Sequence, residues 1–279
     1  MRTLLRFLLI VSAVFIIAGS VILYSFFNSG SAQQAVLEEQ TFDEEIENME
    51  IRVENARVDI LPNNDDTIRV VLIGNSDDFT LGTDMSGGRL QIEVKDRSSF
   101  FNFNFNRSYS LQVHVPAIGL AELQVNSDNG AIQAKDFGAV ELSIEADNGR
   151  IELEAVESNK VNVKTDNGRI ELTDMEADIT ARSSNGRITF TGVSGELQAR
   201  ANNGRIELDT STLDFPVDFE TDNGEIQIRT ETEPADARIE AYADNGSIEL
   251  YGQESHNLSF GRGDILIRLV SDNGRIVVE

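Results

Sequence analysis

An Asn-Gly pair returns eight times in this chain, each time between two short runs of alternating apolar residues. The pairs are Asn129-Gly130, Asn148-Gly149, Asn167-Gly168, Asn185-Gly186, Asn203-Gly204, Asn223-Gly224, Asn245-Gly246 and Asn273-Gly274. Successive glycines are 19, 19, 18, 18, 20, 22 and 28 residues apart. A period near 20 residues means one structural unit stacked on copies of itself. Two residues after each glycine stands isoleucine: Ile132, Ile151, Ile170, Ile188, Ile206, Ile226, Ile248 and Ile276. Four after it the residue is apolar, and three before it the residue is small, as in Ser127, Ala146 and Thr165. A period of two on both sides of the pair reads as strand, turn, strand.

Asn and Gly tolerate positive φ, so the pair is expected to turn the chain through the left-handed region. Charges alternate on the other face, as in Arg150 and Glu152, Arg169 and Glu171, and Arg205 and Glu207. Residues two apart share a strand face, which places these groups in solvent. Two folds fit. Each unit is a β-hairpin of a meander, for which Asn-Gly is a strong signal, or one coil of a single-stranded β-solenoid with Asn-Gly at a corner. The uniform isoleucine favours the all-β solenoid, because identical residues stack at the strand spacing. Eight coils then make a rod about 40 Å long, with the asparagine amides bonding coil to coil.

Residues 7–27 are uncharged and mostly apolar, and Arg2 and Arg6 precede them. As a helix this stretch is about 31 Å long, enough to cross a bilayer. The basic residues on its N-terminal side place the N-terminus in the cytoplasm and the rest of the chain outside. A cleaved signal peptide is the alternative, with Ser29-Gly30-Ser31-Ala32 as a poor cleavage site. The expected organisation is an anchor at 1–28, a polar tether at 29–45, an irregular N-terminal β section at 46–117 and the regular repeat at 118–279. The irregular section has alternating strands without Asn-Gly, and turns at 62–66 and 86–88. Within it Phe101, Phe103 and Phe105 share one strand face, as rings closing the first coil or as an aromatic patch for a partner or sugar.

All 48 acidic residues, and all but two of the 23 basic ones, follow residue 27. Nucleic acid is a poor partner for such a surface, as is an anionic membrane face. The acidity serves solubility in a salty exterior, or divalent cations between acidic corners. The absence of cysteine excludes a lipid-modified cysteine, disulfides and thiolate metal sites. The two histidines, His114 and His256, lack zinc-ligand spacing. There is no nucleophile elbow and no phosphate-binding glycine loop. Carboxylate pairs do serve polysaccharide-cleaving enzymes. Here, however, Asp128, Asp147, Asp166, Asp222, Asp244 and Asp272 recur in register, as turn residues bonding backbone amides or, alternatively, as calcium ligands. Arg262-Gly263-Asp264 reads as a turn before a strand, with an adhesion motif as the alternative. Insertions fall at 230–237 and 251–263, where solenoids often carry binding. The last repeat ends at Val278-Glu279, which suggests a bare edge open to self-association.

The segments Asp147–Leu153 and Asp166–Leu172, and Val113-His114-Val115-Pro116-Ala117 leading into Leu123-Gln124-Val125, resemble the bacterial β-strand-repeat family named for adhesins, a domain of unknown function. The resemblance covers about residues 45–279 and implies a single-stranded β-solenoid displayed at the cell envelope. It carries no catalytic residue, metal or cofactor. The expected role is a non-enzymatic, membrane-anchored binding or stalk protein outside the cytoplasm. Its expected partners are wall polysaccharide or an envelope protein. The alternatives are a self-assembling or stress-related scaffold and a polysaccharide-active enzyme.

Overall fold

The computed structural model describes residues 34–96, 108–117 and 119–279. The expected membrane segment and the Phe101–Phe105 stripe lie outside the described residues. Among the described residues there is no helix, and every element is a β-strand. Seven strands form the N-terminal section: β1 (Ala35–Phe42), β2 (Asn48–Val53), β3 (Arg57–Asn63), β4 (Ile68–Gly74), β5 (Phe79–Ser86), β6 (Arg89–Asp96) and β7 (Tyr109–Pro116). The repeats follow as β8 (Leu120–Asn129), β9 (Ile132–Lys135), β10 (Ala139–Asn148), β11 (Arg150–Glu154), β12 (Lys160–Thr173), β13 (Asp178–Thr191), β14 (Leu197–Asn203) and β15 (Ile206–Thr210). The last are β16 (Val217–Asn223), β17 (Ile226–Thr230), β18 (Ala237–Leu250), β19 (Asn257–Ser259) and β20 (Ile265–Val278).

Each repeat pairs in parallel with the equivalent residues of its neighbours, not as a hairpin with itself. Ile151 faces Ile132 and Ile170, and Ile188 faces Ile170 and Ile206. Two parallel ladders result. The strands before the corner run β6, β2, β8, β10, β12, β13, β14, β16, β20, β18. Those after it run β7, β3, β9, β11, β12, β13, β15, β17, β20, β18. The stack therefore departs from chain order at both ends. The β2/β3 coil lies between β6/β7 and β8/β9, both later in the chain, and β20 lies between β16/β17 and β18.

This placement corrects the expectation of a bare edge at the last repeat. β20 is paired on both sides, and Glu279 is tied down: its amide donates to Ile228 O, and its carbonyl accepts from the Thr230 amide. The outermost coil is β18. Over Arg238–Glu240 its outer side pairs antiparallel with β19. The insertion that carries β19 is thus a lid on the end of the core. Tyr251 and Phe260 meet edge to face at 5.4 Å there, and both pack on the core. At the other end β5, β4 and β1 close the stack as antiparallel strands. The β5–β6 hairpin turns on Gly87 and Gly88, with φ of 58° and 76°, as a two-residue loop with positive φ at both positions demands.

One continuous core runs from Phe42 to Val278. The isoleucine row is its spine: seven members are fully buried and Ile248, in the outermost coil, is 8% exposed. The residues three before the glycine are buried too, except the half-buried Ala243. A further interior row comes from the return segments: Phe137, Val156, Met175, Val193 and Leu213. Phe219 lies opposite the small Ala199 in the ladder, and its ring stacks on Phe190 at 5.4 Å inside the core.

Candidate functional site: the asparagine corner and its flanking faces

The corner is built on close backbone approach, not on positive φ. None of the eight corner glycines has a left-handed φ. A Cβ on Gly149 would lie 1.8 Å from Gly130 O, and one on Gly168 would lie 1.7 Å from Gly149 O. Coils pass so near one another here that no side chain fits between them. The left-handed residues come six positions later, where the strand turns into the return: Asp136, Ala155, Asp174 and Gly192, with φ of 53°, 51°, 52° and 64°. Their amides donate to Glu154, Thr173, Thr191 and Asp209 carbonyls respectively, which holds that conformation.

The asparagines form one continuous chain of amides. Asn148 donates to Asn129, Asn167 to Asn148, Asn185 to Asn167, Asn203 to Asn185 and Asn223 to Asn203, at 2.9–3.1 Å. Asn273 then donates to Asn223, and Asn245 to Asn273, following stack order instead of chain order. Asn129 extends the row to Asn55 at 2.9 Å. Sequence reasoning missed this rung because Ala56 stands where the others have glycine. The signal was present in Val53, Val58 and Ile60, which match the interior positions of the repeat. Inside the corner, the hydroxyls of Thr221 and Ser271 donate to Gly204 O and Gly224 O at 3.2 and 3.1 Å.

The recurrent aspartates do not bond backbone amides, which corrects the reading of them as turn residues. They stand beside the asparagine row on the outer face, mostly exposed. Asp166 accepts from the Ser184 hydroxyl, and Asp244 from the Tyr242 hydroxyl. They point outward because the corner's amides are already used between coils. Among the described residues no group of His, Cys, Asp and Glu is arranged to hold a metal. His114 is half-buried on β7; burial lowers its pKa, helped by Arg69 and opposed by Glu39.

Past the corner the outer face carries a neutralised row. Arg150 pairs with Glu171 and Glu152, Arg169 with Glu171, and Arg205 with Glu207 and Glu225. Burial alone would raise the Glu171 pKa, but the hydrogen bonds from Arg150 and Arg169 hold it below the ordinary value. On the face before the corner, Asp218 sits between Arg268 and Arg200 at 2.7 and 3.0 Å. Burial again opposes, and the two guanidiniums again prevail, lowering its pKa. Arg262-Gly263-Asp264 is clamped: Asp236 accepts the Gly263 and Asp264 amides and the Arg262 guanidinium, while Arg262 also pairs with Asp264. Among the described residues the geometry offers periodic hydrogen-bonding and paired charge along the stack.

Comparison with known families decides the relationship. The Toastrack DUF4097 model matches residues 46–275. The chain belongs to that family. A solved structure from Bacteroides fragilis, described as a candidate adhesin, is 12% identical to this Toastrack chain; the match covers 87% of this chain and 97% of that one, with a TM-score of 0.51. A structure from Parabacteroides distasonis, described as a candidate lipid-binding protein, is 16% identical, with coverage of 87% and 96% and a TM-score of 0.51. At these identities the likeness is one of fold. No curated protein matches the chain. Among the described residues of this Toastrack protein no helix is long and apolar enough to cross a membrane.

Proposed function

We propose that this Toastrack protein is a non-enzymatic binding or stalk module of the bacterial cell envelope. In this reading residues 1–28 anchor it in the membrane, its N-terminus is cytoplasmic, and the β-strand region is a solenoid held outside. The observation that carries the reading is the repetition of the same polar groups from coil to coil along the outer faces. A row of equivalent groups at strand spacing matches a polymer with its own repeat better than it matches a single small substrate. Wall polysaccharide is the partner of choice, and the adhesin description of the Bacteroides fragilis relative agrees with it. The test is binding of the purified chain to fractionated cell-wall polymers, with and without calcium, beside an equally acidic control protein. Saturable binding above the control supports the reading; no binding to any fraction defeats it.

A second reading is a self-assembling scaffold. It is favoured by β18, whose outer side is hydrogen-bonded to the insertion from Ala237 to Ala241 and then only by a single bridge at Leu250. The stretch between is an edge able to accept a strand. Light scattering over a concentration series tests it: a strict monomer at the highest concentration ends this reading.

A further inference from the structure

The repeat spacing is 18 residues from Gly186 to Gly204, then 20 and 22 to the next two glycines. The extra residues fall in the return segments after β15 and β17. The short return Gly192-Val193-Ser194-Gly195 is therefore followed by the longer one at 211–216. Between them lies a shallow, open groove of about 960 Å³.

We infer that this groove binds a neutral saccharide chain, an assignment that rests on the polymer-binding reading above. Three features define the ligand class. First, hydroxyl side chains recur along the walls: Thr191, Ser194, Ser211 and Thr212, beside Thr210 and Thr230, whose hydroxyls bond Thr212 O and the Tyr251 hydroxyl. A hydroxyl both donates and accepts, as does each hydroxyl of a sugar. The Arg229–Asp209 pair, at 3.0 Å, adds a fixed donor beside a fixed acceptor. Second, Phe215 packs on the core yet contributes to the lining. A half-buried ring offers one apolar face, on which the C–H face of a pyranose can lie. Third, Glu176, Asp209, Asp214 and Glu231 line the groove against the single cation Arg229. That field repels anionic polymers, so phosphate-rich and uronic-acid chains are disfavoured. The groove is open to solvent, so it can admit part of a chain instead of enclosing a monomer.

The test uses the full-length chain in detergent, titrated with neutral hexasaccharides of glucose, mannose and N-acetylglucosamine, and with polygalacturonate as the anionic probe. Binding of at least one neutral probe is expected, with none of polygalacturonate. Phe215→Ala is expected to weaken that binding at least tenfold. Thr191→Arg, at an exposed wall position away from the core, is expected to block it while leaving the thermal transition unchanged, which separates loss of the site from loss of the fold. Binding of polygalacturonate alone, or neutral binding unaffected by both variants, overturns the proposal. The wall-polymer assay runs in parallel. If wall fractions bind both variants as well as the natural chain, the groove assignment fails and the envelope-binding reading stands. If neither a wall fraction nor a neutral probe binds the natural chain, both fail.

Discussion

Replacing Gly168 with alanine tests how the corner is built. The new Cβ would stand 1.7 Å from Gly149 O, 2.8 Å from Gly149 C and 2.7 Å from Thr165 Oγ1. Restoring van der Waals separation requires the two coils to part locally by about 1.5 Å. The obstacle is backbone, so no rotamer change relieves it. Parting the coils stretches the Arg169 amide to Gly149 O contact, now 3.3 Å, and the Asn167 to Asn148 side-chain bond, now 2.9 Å. The Thr165 hydroxyl loses its acceptor as well. At about 1 kcal/mol net for each bond, the loss is about 3 kcal/mol. Against it, alanine lowers the entropy of the unfolded chain and returns about 0.4–1 kcal/mol. The expected result is a destabilisation of roughly 2–3 kcal/mol, read as a lower urea midpoint with an unchanged slope. If Gly168→Ala is neutral or stabilising, the close-approach argument is wrong and the glycine serves some other purpose. Gly87→Ala is the contrast: a Cβ there meets nothing within 4 Å, and the cost comes only from its φ of 58°, about 1 kcal/mol.

Four further outcomes follow from the same geometry. Ile170→Asp buries a carboxylate in a fully covered row and should abolish the cooperative thermal transition seen by circular dichroism; a retained transition would place that row outside the core. Asn185→Ala removes one donor and one acceptor from the exposed amide chain, and chemical denaturation should register a loss of about 1–2 kcal/mol. The folded pKa of Asp218 is lowered, so its contribution is complete above the ordinary carboxylate pKa, about 4, and is lost as pH falls through the depressed value. The stability gap between the natural chain and Asp218→Asn should therefore narrow on acidification below about pH 4, and a gap that widens refutes the pairing. The chain has no cysteine, so an engineered pair reports stack order cleanly. Asp218→Cys with Arg268→Cys, directly opposite one another in β16 and β20, should cross-link in the monomer, whereas Asp218→Cys with Glu240→Cys should not.

The repeat was legible because its interior positions are chemically uniform. A buried Ile row and a fixed Asn-Gly register leave few ways to stack, and the parallel pairing of Ile170 with Ile151 and Ile188 realises one of them. Two things were not legible. The role of the glycine was misjudged because Asn-Gly is a signal for positive φ and equally for the absence of Cβ; only the separation between coils distinguishes them. The order of the last coils was hidden because β18 and β20 carry the same pattern, so either would fit against β16. The more apolar β20, with Val277 buried beside Ile276 and Val278, occupies the inner place. The groove was foreshadowed by the departures from an 18-residue spacing, yet a spacing cannot say whether extra residues form a lid, as at β19, or a wall, as at 211–216.

The inner position of β20 also has a bearing on how the molecule is made. β18 precedes β20 in the chain and so reaches the folding compartment first, yet in the finished stack β20 is its parallel neighbour. A nascent chain that has released β18 but not β20 therefore cannot lay down its coils in the order of translation. Either β18 waits undocked or it occupies the vacant place on β16 and must be displaced when β20 emerges. Synthesis pauses between residues 250 and 265 would lengthen that interval, and the yield of native protein should respond to codon changes there more than to changes in the regular coils upstream.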